Sequence, residues 1–505
     1  MTSTTLSSRC KALSAAAMDW TLGREWAISV FAVLSAIAIL CALMRTRFER
    51  AATGSSDSKQ AAAFSAFQRS YLVVYVVVML ADWMQGTHMY TLYTEYTNSN
   101  SSVSVGTLFL SGFLAAGILG TFTGPLVDKY GRKRACMVYV LLEVTINLLE
   151  HINAMHWLML GRILGGISTS LLFSAFEAWM VTEHRNRGYP EEWLSRTFGL
   201  CAVVNGATAI LAGILAQVAA DNLGDIGPFQ VAIGLTMLAG LLIVPWTENH
   251  GDSNDKKHDD ALIEPAGLVS AWKTVRRERA LFAVGAVYAL FEGAMYTFVF
   301  NWVPTLALAM GGFAQIQPVQ GIIFSCLMAA ISIGGEVYSF ATRFLLPETV
   351  GVAVFSLSSL TMAVPVVCEL FGCSLPSAFA VQFAAFLGFE MCVGAFQPCM
   401  ATLRAKYVPD SQQSTVNSLF RFPLNMLVAA GTKLSDYVDL YMVFALCAAA
   451  HFIAALTQVD LRWRMSSSAP PPGGGEPPSK AASNVSPKKQ RAKSPKRNGT
   501  KGKTS

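Results

Sequence analysis

The sequence predicts an all-α polytopic membrane protein: two six-helix bundles plus one extra N-terminal helix. Three observations carry this. Of 505 residues, 53% are hydrophobic and only 14% are charged, whereas soluble chains carry roughly a quarter charged residues. The apolar residues gather in thirteen blocks, most of them near the ~20 residues a helix needs to cross a bilayer. The hydrophilic connections alternate between basic and nearly uncharged, the bias that sets orientation in a membrane.

The first block, 26–44, is the extra helix and lies in an N-terminal segment of residues 1–70. Arg45, Arg47, Arg50, Lys59 and Arg69 follow it, placing that side in the cytoplasm. Blocks at 71–92, 105–127, 134–150, 155–178, 197–219 and 228–247 make the first bundle, residues 71–247. Residues 248–279 form a cytoplasmic central loop rich in Lys and Arg. Blocks at 280–303, 318–339, 349–370, 377–400, 415–431 and 438–457 make the second bundle, residues 280–457. Residues 458–505 are Pro/Gly-rich and then Lys-rich, and are expected as a disordered basic cytoplasmic tail.

The opposite loops, near 93–104, 151–154, 220–227, 304–317, 371–376 and 432–437, contain Lys433 as their only Lys or Arg, so they face outward. Asn100-Ser101-Ser102 in one of them is a glycosylation sequon. The net charge of +6 belongs to the tail: eleven of the 38 Lys and Arg residues follow Asp460. No nucleic-acid partner is expected; the lipid bilayer is the surface this chain meets. Cysteines fall mostly within apolar blocks without metal-ligand spacing. Cys368 and Cys373 flank an outer loop, either as a disulfide or as two free thiols.

The two halves repeat each other. Gln85-Gly86-Thr87-His88-Met89-Tyr90-Thr91 reappears, one residue shorter, as Glu292-Gly293-Ala294-Met295-Tyr296-Thr297. Ala175-Phe176-Glu177-Ala178 at the end of the fourth bundle helix corresponds to Ala395-Phe396-Gln397-Pro398 in the tenth. Parallel six-helix repeats predict a central site near the midplane, exposed alternately to each side. Between the second and third bundle helices, Gly124, Asp128, Lys129, Gly131, Arg132, Lys133 and Arg134 match the major facilitator loop pattern G-x-x-x-D-[RK]-x-G-[RK]-[RK]. A carboxylate at a helix end beside a basic turn suits a gate; ordinary orienting charge is the other reading. Gly335 and Arg343 are a degenerate remnant in the second half.

Charges inside spans are costly against lipid, so each is a functional candidate. Asp82, Glu292 and Glu390 sit near the middle of their helices and are candidate proton carriers, or else carboxylates hydrogen-bonded between helices. Glu143 and Glu336 read as structural. Arg162 and Arg421, one in each half, offer planar forks of donors suited to an oxyanion. Arg162 can instead pair with Asp82 or Glu143, and Arg421 can reach the inner surface. Gln85, Tyr90, Tyr93, Ser170, Ser174, Asn205, Tyr296 and Asn301 complete a candidate cavity, with helix–helix hydrogen bonding as the alternative. There is no phosphate loop, zinc spacing or nucleophile elbow, so no enzymatic activity, cofactor or metal is expected.

Ala81-Asp82-Trp83-Met84-Gln85, Gly161-Arg162-Ile163-Leu164-Gly165-Gly166, Leu172-Phe173-Ser174-Ala175-Phe176-Glu177-Ala178-Trp179, Ala289-Leu290-Phe291-Glu292, Gly321-Ile322-Ile323-Phe324-Ser325 and Phe420-Arg421-Phe422-Pro423 resemble the molybdate-anion transporter family of the major facilitator superfamily. The resemblance spans about residues 71–457 and accounts for the extra first helix. It implies high-affinity uptake of molybdate across the plasma membrane; with no nucleotide-binding module in the sequence, uphill transport is expected to use an ion gradient, proton coupling being one route, and a monomer is the expected state. Transport of sulfate, another anion or a sugar is the alternative, as is a non-transporting receptor or scaffold on the same fold.

Overall fold

The computed structural model describes residues 28–37, 58–250, 272–273, 275–373, 375–407, 413–435 and 437–468. The regular structure among them is helical. A short helix, α1 (Ile28–Ile37), occupies the middle of the block expected at 26–44; the ends of that block lie outside the described residues. Its Val30, Phe31 and Leu34, spaced to share one helix face, pack against an apolar cluster built almost wholly from the second half.

The first bundle comprises α2 (Ser58–Ser99), α3 (Val105–Tyr130), α4 (Arg132–Leu149), α5 (Met155–Asn186), α6 (Glu191–Leu223) and α7 (Gly227–Ile243). The second comprises α8 (Arg279–Met310), α9 (Gln320–Ala341), α10 (Pro347–Leu370), α11 (Leu375–Tyr407), α12 (Gln413–Leu434) and α13 (Leu440–Ser468). Within the central loop, residues 251–271 and 274 lie outside the described residues.

Two helices outrun their apolar blocks. The α2 helix begins at Ser58, not 71, because Phe64 and Phe67 bury against the ends of α5 and α6, with the Phe64 and Trp193 rings 4.9 Å apart. Lys59, Gln60, Gln68 and Arg69 on the same segment dilute its hydropathy and hide the helix. The α13 helix continues to Ser468, so 458–468 is helical and not part of a disordered tail. The buried Gln458 donates to the Glu348 carbonyl at 3.3 Å, and Leu461 is buried too. Residues 469–505 lie outside the described residues.

Among the described residues, eight helices are long and apolar enough to cross a membrane, and α1, the first part of α3 and α7 are shorter apolar helices. The α4 helix misses that standard because it carries Arg132, Lys133, Arg134 and Glu143. A helix that lines a bundle interior can carry such groups away from lipid.

The bundles meet along two seams, α3 against α12 and α6 against α9. The repeat maps α3 onto α9 and α6 onto α12, so the two seams are related by the internal twofold. Small residues bring the backbones together. A Cβ on Gly213 would lie 2.6 Å from the Gly321 carbonyl oxygen, and one on Gly166 would lie 2.5 Å from the Ala116 nitrogen. Gly206 faces Ser332 across the α6–α9 seam, whereas Gly165 has open space beside it. The end that carries the 131, 187–190 and 244–278 connections is called here the basic end.

Candidate functional site

At the basic end, the loop motif folds as a joint between α3 and α4. Gly131 makes the turn at φ 109°, a left-handed conformation that suits glycine. Glu248, just beyond α7, caps the start of α4: its carboxylate accepts from the Lys133 and Arg134 backbone N–H groups at 2.8 and 3.1 Å. A negative charge at a helix N-terminus is favourable. The Lys133 ammonium donates to the Val244 carbonyl at 2.6 Å, and the Arg132 guanidinium donates to the Ala178 carbonyl and the Thr182 hydroxyl. The side chains of Asp128 and Lys129, and the surroundings of Gly124, lie outside the described residues.

Inside the first bundle, Glu143 is buried and accepts from Gln85 at 3.1 Å and Ser168 at 2.5 Å, tying α4 to α2 and α5. This is the structural role its sequence suggests. Asp82, one turn from Gln85, is half-buried and has Glu143 as its charged neighbour. Arg162 makes no direct ion pair with Asp82 or Glu143, although Glu143 is among its electrostatic neighbours. Its guanidinium donates to the Met89 sulfur at 2.7 Å, lies 5.7 Å from the Phe109 ring centroid, and has Tyr93 and Glu150 as electrostatic neighbours. Its Nε is buried without a hydrogen-bond partner. Tyr93 is fully buried and donates to the Glu150 carboxylate at 2.7 Å.

The second bundle holds a separate group. Buried Glu292 accepts from Gln397 at 3.3 Å and also interacts with Tyr288, Arg404 and Arg421. The Arg404 guanidinium sits 5.2 Å from the Tyr288 ring centroid. Arg421 is exposed on α12. Glu390 is buried elsewhere in this bundle, with Oε2 unpartnered.

Outward along α8 from Glu292, successive turns carry Tyr296 and Phe300, and these rings close the end opposite the basic one. Tyr296 meets Phe113 at 5.7 Å, Phe300 meets Phe109 at 4.9 Å and Tyr90 at 5.3 Å, and Tyr90 stacks on Phe313 at 6.2 Å. Beside them, a polar latch joins α6 to the start of α9. Gln217 donates to the Gln317 carbonyl at 2.9 Å and accepts from the Gly321 N–H at 2.7 Å, while Gln317 donates to Asp225 at 3.1 Å. Burial pushes the Asp225 carboxyl up, opposed by the Gln317 amide. Gln320 reaches across to the Thr87 carbonyl.

The candidate residues thus divide into three sets. Gln85, Tyr93 and Arg162 share the first-bundle polar group around Glu143 and Glu150; Tyr90 and Tyr296 belong to the aromatic closure; Glu292 and Arg421 share the second-bundle group. Arg162 lies seven residues into α5 from the closed end, roughly 10 Å, and Arg421 eight residues into α12 from the basic end, roughly 12 Å. The two guanidiniums therefore sit at different depths and share none of these partners. Asn205 accepts from the Trp83 indole at 2.9 Å and Asn301 donates to Ser435 at 3.0 Å, bonds between elements, whereas Ser174 donates to the Ser170 carbonyl at 2.6 Å and Ser170 to the Gly166 carbonyl at 3.2 Å, both one turn back within α5. Cys368 and Cys373 are free thiols.

Glu150 and Glu248 were not among the sequence candidates. Each stands at the margin of an apolar block, where a carboxylate reads as ordinary surface charge. The Tyr93–Tyr96 spacing was the available signal for Glu150, since both phenols reach that residue.

The family described as sugar transporters with 12 TM helices matches residues 28–393. A molybdate-anion transporter from Xenopus laevis is 33% identical over 425 residues, covering 81% of this chain and 89% of its own length. Its counterpart from Xenopus tropicalis is 32% identical, covering 85% and 93%. The crystal structure of the nucleoside transporter NupG superposes with a TM-score of 0.59 at 13% identity, covering 78% of this chain and 99% of that one, a likeness of fold alone. Identity at this level across most of both chains, on this fold, places the chain in the molybdate-anion transporter family of the major facilitator superfamily: it is a multi-pass membrane transporter and not an enzyme.

Proposed function

We propose that this transporter carries molybdate into the cell across the plasma membrane by alternating access, with the proton gradient as its driving force. The observation that carries the reading is Arg162: a guanidinium inside the first bundle, not ion-paired and with a buried Nε that lacks an acceptor. Tyr93 and Glu150 offset its charge in part, but a buried donor left without an acceptor is costly, and a tetrahedral dianion is a ligand that would repay it with charge-assisted hydrogen bonds. The curated relatives are named for molybdate. Basic loops favour the cytoplasmic side, so the aromatic closure faces outward and this conformation is the inward-facing one. Arg421, exposed beside Glu292, then meets the anion on its way to the cytoplasm.

Uptake of radiolabelled molybdate by cells lacking their own carrier tests this. Expression is expected to raise uptake, and Arg162→Ala to abolish it; uptake equal to that of control cells defeats the cargo assignment. Sulfate added in excess measures selectivity within tetrahedral dianions. A second reading, sugar transport, has the family description in its favour. A neutral sugar gives no compensation to the Arg162 charge, and glucose in excess should leave molybdate uptake unchanged.

A further inference from the structure

We infer that Glu150 is the proton-carrying partner of Arg162, so that an oxyanion enters the first-bundle pocket only together with a proton on this carboxylate. The inference rests on the oxyanion reading above and supplies a coupling residue other than Asp82, Glu292 or Glu390. Glu150 stands at the C-terminal end of α4 and is 1% exposed. Its Oε1 accepts from Tyr93, its backbone carbonyl accepts from Tyr96 at 2.8 Å, and its Oε2 has no hydrogen-bond partner. A helix C-terminus disfavours negative charge, and a bare buried carboxylate oxygen is costly. Both features make this site receptive to a proton.

The groups facing it are few. Tyr93 and Tyr96 come from α2, Arg162 from α5, and Glu143 from two turns back on α4. His151, next in the chain, turns its Nδ1 to the Asn147 carbonyl at 2.8 Å. A dianion placed beside Arg162 would share the pocket with one cation and two carboxylates. In a medium of low polarity that surplus of negative charge is prohibitive. One proton relieves it. Glu143 is the poorer recipient, because both its oxygens already accept hydrogen bonds from Ser168 and Gln85. Glu150 has the open oxygen. Protonated, it changes from a repelling charge into an O–H donor, which joins the unpartnered Arg162 Nε in offering hydrogen bonds to the anion. The proton is taken from solvent on the side where the anion binds and returns to solvent on the side where the anion leaves.

Molybdate uptake into proteoliposomes, read against external pH, tests this. Wild-type uptake is expected to fall roughly tenfold per pH unit once the carboxylate is ionised, as a single obligatory proton requires. Glu150→Gln should transport with a flat profile, and Glu150→Asp should restore the slope. A Glu150→Gln profile as steep as wild type overturns the inference while leaving molybdate transport intact. Absence of wild-type uptake overturns the oxyanion reading, and this inference with it. Should Glu150→Gln fail to fold, purified wild-type protein titrated with molybdate in weak buffer gives an independent reading. About one proton taken up per molybdate bound supports the coupling, and none overturns it.

Discussion

Glu248 illustrates how much of a local motif is settled by a single side chain outside it. The basic run Arg132-Lys133-Arg134 opens α4, where the helix dipole already favours anions, and Glu248 supplies one by accepting two of the free N–H groups. Glu248→Ala should cost about 1 kcal/mol, the usual worth of a helix cap. The expected outcome is a melting temperature lower by a few degrees in detergent, with Glu248→Gln largely restoring it. The sequence reading located the motif but not its partner, because Glu248 falls where the central loop begins and hydropathy carries no information about capping. The same limit applies to Arg162. A charge within an apolar block announces that it needs compensation, yet the sequence offered only Asp82 and Glu143 as partners and passed over Glu150 at the block's margin. Only packing assigns Tyr93 and Glu150 to it.

At the scale of elements, the α6–α9 seam depends on Gly213 and Gly321 lying backbone to backbone. No side chain fits at Gly213 while Gly321 stays where it is, so Gly213→Leu should wedge the closed end apart. The measurement is labelling of Tyr90→Cys by a membrane-impermeant maleimide, made in a Cys373→Ser background because Cys373 is exposed. Labelling should rise several-fold on adding Gly213→Leu, and unchanged labelling would show that the wedge is absorbed elsewhere. Helix number and order were legible from apolar blocks. The overhangs of α2 and α13 were not: charged and amide residues such as Lys59, Gln60, Gln68 and Arg69 around Phe64 and Phe67, and Asp460 and Arg462 around Leu461, lower the local hydropathy, and the burial of these side chains depends on neighbours far along the chain. The α12 helix was legible as a block, although its polar face keeps it below the apolarity of a lipid-facing span.

For the whole molecule, the twofold relation of the α3–α12 and α6–α9 seams gives the bundles two matching contacts on which to rock. The repeated strings at 85–91 and 292–297 foretold this symmetry, though not which end would be shut. That choice is made by rings contributed from both halves, Tyr90, Phe109 and Phe113 against Tyr296, Phe300 and Phe313. Tyr90→Cys and Phe313→Cys, bridged by a short cleavable thiol reagent, should hold this end shut. Molybdate uptake is then expected to fall to background and return on cleavage, with each single variant insensitive to the reagent. Persistent uptake in the bridged protein would mean that these rings need not part during transport.

The position of α1 also bears on how the chain is made. Its Val30, Phe31 and Leu34 leave the ribosome well before their partners, since the cluster they pack against is drawn almost entirely from residues after 274. The 241 residues separating Ile37 from Arg279 take roughly 12–50 s to synthesise at about 5–20 residues per second. For that interval α1 is without its partner, and it reaches its place only after the second bundle arrives.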